Sequence, residues 1–144
     1  MKGTFIAEAS SQIDAPISKV WKALIDPEAI KTYMFGTTIV TDWKPGSKIL
    51  WKGEWKGQRY EDTGTVLQIK ENEMIQYDHF SPMSGQPDIP ENHHTVTIKL
   101  EEKGTGTIVK LTQDNNASEQ AREHSRSNWN MMLTKLKDYL EGNN

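Results

Sequence analysis

NASEQAREHSRSNWNMMLTKLKDYLEG, residues 116–142, is the stretch on which the fold turns. It predicts one helix over about residues 117–141. Asn116 or Ser118 can cap its start, and Glu119 follows in the first turn. Asn116 to Glu119 has capping-box spacing, with Asn at the cap in place of Ser or Thr. Gly142 lies just past the end, where a left-handed terminator belongs. Ala121, Trp129, Met132, Leu133, Leu136 and Leu140 recur at helical spacing as one stripe, with Ser125 and Asn128 on the same face. Any sheet with one apolar side must bury that side against this stripe.

The segments upstream supply such a sheet. Residues 107–113 and 93–102 pair as a hairpin through Gly104-Thr105-Gly106. Val96, Ile98 and Leu100 face one way in their strand, and Thr95, Thr97 and Lys99 face the other. Further strands are expected at 74–80, 59–70, 48–55 and 38–43, with turns at Glu71-Asn72-Glu73, Lys56-Gly57-Gln58 and Lys44-Pro45-Gly46-Ser47. Residues 4–14 read as the first strand. Pro16 then opens a helix whose buried face is Ile17, Val20, Trp21 and Leu24. Asp26-Pro27-Glu28 starts a second short helix carrying Ile30, Tyr33 and Met34. The fold class is therefore α+β: a curved antiparallel sheet of about six or seven strands wrapped around a long C-terminal helix, with two short helices after the first strand. Residues 1–144 fit one domain.

Composition narrows the range of function. A chain of 144 residues buries roughly 68–70% of its unfolded surface, so it needs no staples. With no cysteine, disulfides, thiolate metal sites and cysteine nucleophiles are excluded. Seventeen basic and 20 acidic residues are scattered along the chain for a net charge of −3, which gives no field attracting nucleic acid. Glu8 interrupts any signal-peptide core, and no run approaches the ~20 apolar residues of a membrane span. The expected location is cytoplasmic, with neither a membrane nor a nucleic-acid partner.

The helix stripe is graded. Its C-terminal half carries large apolar groups, whereas Ala121, Ser125 and Asn128 are small or polar. That grading predicts a core closed at one end and hollow at the other, the form of a small-ligand site. The expected lining is Trp51, Trp55, Tyr60, Tyr77, His79 and His94 from the sheet, with Ala121, Ser125, Asn128 and Met132 from the helix. The rings of Trp51, Trp55, Tyr60 and Tyr77 favour a flat apolar or aromatic ligand. The competing reading is that those rings fill the space themselves.

Ile13-Asp14-Ala15-Pro16, Val20-Trp21-Lys22-Ala23-Leu24 and Asp26-Pro27-Glu28 resemble the opening of the AHSA branch of the START-like, or SRPBCC, superfamily. Trp43-Lys44-Pro45-Gly46-Ser47 and Gly64-Thr65-Val66 are similar to its middle. Gly106 to Leu111 and Trp129 to Leu140 resemble its end. The resemblance implies the helix-grip fold with a cavity between sheet and C-terminal helix that takes lipids, polyketides, hormones or other aromatic molecules in different relatives. It also implies two alternatives. One is a co-chaperone-type module acting on a heat-shock chaperone ATPase, with the Trp/Lys-rich residues 43–56 as a docking face. The other is a cofactor-free cyclase- or hydrolase-like enzyme.

The residues add little catalytic signal of their own. His93 and His94 point to opposite faces of a strand, so they cannot readily share a metal. Four histidines at 79, 93, 94 and 124 match no metal motif, and neither metal nor cofactor is expected. No serine sits in a nucleophile elbow, and acid–base work falls to His79 or Asp78 if to any group. The proline-rich residues 81–92 form a loop, with Met83 and Ile89 as its large apolar groups. That loop is read either as a lid at the cavity mouth or as a mobile surface segment.

Overall fold

The computed structural model describes residues 5–82 and 85–142. The elements are β1 (Phe5–Ile13), α1 (Ile17–Ile25), α2 (Pro27–Tyr33), β2 (Thr38–Val40), β3 (Lys48–Trp55), β4 (Gln58–Lys70), β5 (Met74–Phe80), β6 (His94–Lys103), β7 (Gly106–Asn116) and α3 (Glu119–Glu141). The strands form one antiparallel sheet in the order β1-β7-β6-β5-β4-β3-β2. Tight turns join β3 to β4, β4 to β5 and β6 to β7, while residues 41–47 lead from β2 to β3 and the proline-rich residues 81–93 lead from β5 to β6. The long path through α1 and α2 carries the chain from one edge of the sheet to the other.

Local chemistry decides where the elements stop. Ser118, not Asn116, caps α3: its hydroxyl accepts the Ala121 N–H at 3.1 Å. Gly142 ends the helix in the left-handed conformation at φ 77°. Asp26 caps α2 by accepting the Glu28 N–H at 3.2 Å. Pro16 is the cap of α1, one position earlier than expected. Strand β2 stops at Val40, short of the expected Trp43. The reason is tertiary: Trp43 takes φ 56° and its indole N–H donates to Ile25 O at 2.9 Å, which pulls the chain out of the sheet.

The core lies between the concave face and the helices. Val66, Ile75, Val96, Ile98, Val109 and Leu111 from the sheet meet Val20, Leu24 and Ile30 from α1 and α2, and Leu133 and Leu136 from α3. Leu133 and Leu136 are 1% and 0% exposed, and burial on that scale contributes roughly 1.5–3 kcal/mol per side chain. Helix α3 lies chiefly along β1. That strand is a sheet edge, and the helix closes part of it: Lys137 Nζ donates to Gln12 O, and Glu141 accepts the Asp14 N–H at 2.8 Å. The Asp14 N–H and then the Lys137 ammonium hold the Glu141 carboxyl below its ordinary range.

Candidate functional site on the concave face

Strand register places four site residues side by side. Trp51 pairs with Asp62, Gly64 with His79, and His79 with His94. Partners across a ladder share a face, so β3 to β6 present Trp51, Asp62, His79 and His94 together on the concave side. Gly64 makes their approach possible. A Cβ there would stand 3.0 Å from the far edge of the Trp51 indole. With that space open, the Trp51 ring lies 5.1 Å from the Tyr77 ring and 5.0 Å, edge-on, from His79.

Two polar links fix the imidazoles. Asp62 Oδ2 lies 2.9 Å from His79 Nε2, and His94 Nδ1 lies 2.8 Å from the Asp114 carbonyl. A carbonyl can only accept, so the His94 proton is on Nδ1. A carboxylate likewise needs a donor, so His79 carries its proton on Nε2. Asp62 Oδ1 is buried with no hydrogen-bond partner. Deeper in, Leu24, Ile30, Tyr33, Met34, Ile39, Trp43, Trp51, Ile75, Tyr77, Ile98, Trp129 and Met132 surround a void of about 30 Å³. That is room for about one water. Burial pushes the phenols of Tyr33 and Tyr77 upward, so both stay neutral, and Tyr33 donates to Ala23 O at 3.0 Å.

The expected lining is thus divided. Trp51, Tyr77 and Met132 line the void, while His79 and His94 stand at its partly exposed margin. Tyr60 belongs elsewhere: its hydroxyl is 2.6 Å from that of Thr37, and its ring lies over Gly53. Ala121 and Ser125 are half-buried, and Ser125 Oγ donates to Asn116 Oδ1 at 2.8 Å. Asn128 is exposed, because the early turns of α3 stand at the margin of the sheet and that flank meets solvent. The expected ligand-sized hollow is, in this structure, a one-water void, because the Trp51, Tyr77 and Trp129 rings and Met132 occupy the space. Met83 and the Trp55 side chain lie outside the described residues.

Asp62 went unnoticed in the sequence. Its two-residue spacing from Gly64 and Val66, which puts all three on one face, was the available signal. Trp43 and Trp51 turn inward, whereas Lys44, Lys48 and Lys52 meet solvent. Among the described residues no group of His, Cys, Asp and Glu gathers as a metal site, and no helix is long and apolar enough to cross a membrane.

Asp78 and His93 turn to the outer face. His93 Nδ1 lies 2.6 Å from Asp78 Oδ2, its Nε2 lies 2.5 Å from Asp88 Oδ1, and its ring stacks on buried Phe80. The described part of the proline loop is therefore strapped to the outer face, where Ile89 is exposed, and does not cover the concave mouth. Burial opposes charge on His93, but the hydrogen bonds and charges of Asp78 and Asp88 outweigh it and raise the pKa above 6.5. A raised folded-state pKa stabilises fully below about 6.5, and the contribution fades as pH rises through the raised value. Amides 85–92 should therefore be ordered in mildly acidic solution and gain mobility in alkaline solution. Heteronuclear NOE across that range checks this, and His93→Gln should remove the pH dependence.

A curved antiparallel sheet gripping a C-terminal helix, with two short helices after the first strand, defines the helix-grip class of START-like domains. The chain belongs to the family described as Activator of Hsp90 ATPase homolog 1-like protein, whose profile matches residues 14–141. It is similar to ChR145 from Cytophaga hutchinsonii, at 57% identity over 99% of this chain and 98% of that one, with a TM-score of 0.86. CalU16 from Micromonospora echinospora shares 23% identity over 91% of this chain and 73% of its own, at TM-score 0.72. The Aha1 dimer from Colwellia psychrerythraea shares 22% over 94% and 96%, at TM-score 0.73. These last two likenesses concern the fold alone. No curated protein matches the chain.

Proposed function

We propose that this protein binds a small flat apolar or aromatic molecule between the concave sheet face and the early turns of α3. The observation that carries the reading is where α3 is anchored. Its buried residues are Met132, Leu133 and Leu136, and the helix has none before them. The first half is tied to β7 by polar side-chain links, Ser125 to Asn116 and Trp129 Nε1 to Gln113 Oε1 at 2.5 Å. Net contributions of such links are about 1 kcal/mol each, far less than the anchoring of the apolar half. The void lies beneath Trp129 and Met132, at the boundary between the two halves.

A drug-sized ligand needs roughly 300 Å³ or more, so entry requires the half-helix to lift. Weakly anchored segments are the ones that open locally. Titration with naphthalene, followed by ¹H–¹⁵N spectra, should shift the Trp51 and Trp129 indole signals and the backbone of 119–130. Signals that stay still for naphthalene and a panel of flat aromatic and lipid molecules would rule the reading out.

A further inference from the structure

At the margin of the concave site each imidazole has one nitrogen already committed. His79 commits Nε2–H to Asp62, and His94 commits Nδ1–H to the Asp114 carbonyl. In the neutral rings the remaining nitrogens, His79 Nδ1 and His94 Nε2, are lone-pair acceptors. Neither has a hydrogen-bond partner among the described residues. The two rings face the same side with centroids 6.3 Å apart. Asp62 Oδ1, buried and unpartnered, is a third acceptor in the same patch. Buried polar atoms are normally paired, so the buried Asp62 Oδ1 beside two open imidazole nitrogens describes a site that would take a donor.

We infer that this patch recognises a hydroxyl-bearing aromatic ligand, a phenol, with His79 as its proton acceptor; the inference rests on the concave-face binding proposed above. The aromatic part follows from the neighbours, since Trp51 meets His79 edge-on and Tyr77 lies behind it. The hydroxyl part follows from the acceptors. In the transfer, the ligand O–H bond breaks, its electron pair stays on oxygen, and a new N–H bond forms at His79 Nδ1. The phenolate is then held beside an imidazolium. Asp62, on the opposite nitrogen, fixes the tautomer and neutralises the charge that forms, which makes it a positioning residue. The side chains of His79 and Asp62 are 27% and 18% exposed, so a ligand at the mouth can reach the pair. The groups facing His79 are Asp62 from β4, Trp51 from β3 and His94 from β6.

4-Nitrophenol and 4-nitroanisole share ring, size and nitro group and differ in the O–H, and the ionised phenol has its own visible absorption. Each is titrated into the full chain at a pH where free 4-nitrophenol keeps its proton. The phenol should bind about tenfold more tightly than the ether, the worth of one good hydrogen bond, and the nitrophenolate band should appear on binding. His79→Gln should abolish the band and the phenol's advantage over the ether. Asp62→Asn, which leaves the ring in place, should weaken the band. Equal affinity for the two probes, or a band that survives His79→Gln, overturns this inference and leaves concave-face binding intact. Binding of neither probe overturns this inference, and the naphthalene titration then decides the reading beneath it.

Discussion

Gly64→Ala is expected to lower stability by about 3 kcal/mol, at the upper end of overpacking costs, and the melting temperature by about 10 °C. The backbone at Gly64 is ordinary strand, so the cost comes from space. An added Cβ would sit 1.9 Å from the Asp78 carbonyl oxygen and 3.0 Å from its carbon. Backbone in a neighbouring strand cannot swing aside as a flexible side chain can. Trp51, at 3.0 Å on the other side, is 5% exposed and wedged against Tyr77 and His79. Strands β4 and β5 must therefore part where Gly64 pairs with His79, and the Asp62–His79 link should go with them. Gly46 is a useful contrast. It sits in a turn at φ 90° with nothing within 4 Å of a Cβ, so Gly46→Ala costs about 1 kcal/mol of backbone strain alone. Calorimetry on both variants decides the matter. Similar melting points for the two would mean the sheet absorbs the methyl group and the close approach at Gly64 has been overvalued.

Most of the architecture was legible because it rests on local periodicity. Alternation in 93–102 and 107–113, the turn residues between strands and the stripe in α3 each follow from nearest neighbours. The misjudged boundaries involve distant partners. Trp43 leaves the sheet because Ile25, 18 residues earlier, offers its indole a carbonyl. Asn116 is not the helix cap because its side chain reaches Phe5 O and Gln113 O and accepts from Ser125. That residue also accounts for part of the difference from the expected hollow, beside the rings and Met132 that fill the space. Small side chains at Ala121 and Ser125 suggest space above them, but the end of β7 supplies a polar group that meets Ser125. Asp62 was missed because a lone carboxylate on a strand reads as solvated until register sets it beside His79.

Trimming Met132 would turn the small void into an instrument. Met132 is 4% exposed and lines that void together with Trp51, Tyr77 and Trp129. Met132→Ala should cost about 2–5 kcal/mol, the range for removing a large buried apolar side chain whose surroundings relax only in part. Five rings, those of Tyr33, Trp43, Trp51, Tyr77 and Trp129, share that lining and cannot flow into the gap, so the loss should fall in the upper part of that range. The same rigidity should leave an apolar cavity that stays dry and accepts a small aromatic molecule, as cavities of this kind do. Benzene or indole should then raise the melting temperature of the variant in a concentration-dependent way, because a ligand held only by the folded state stabilises it by mass action. Leu136→Ala provides the control: Leu136 is 0% exposed and absent from the lining of the void, so it should lose comparable stability and gain no such rescue. Rescue of both variants would mean that the ligand binds elsewhere. Rescue of neither would mean that α3 settles onto the sheet when Met132 is trimmed. In that case the early turns close more readily than they lift, and a concave-face ligand would have to work against that collapse.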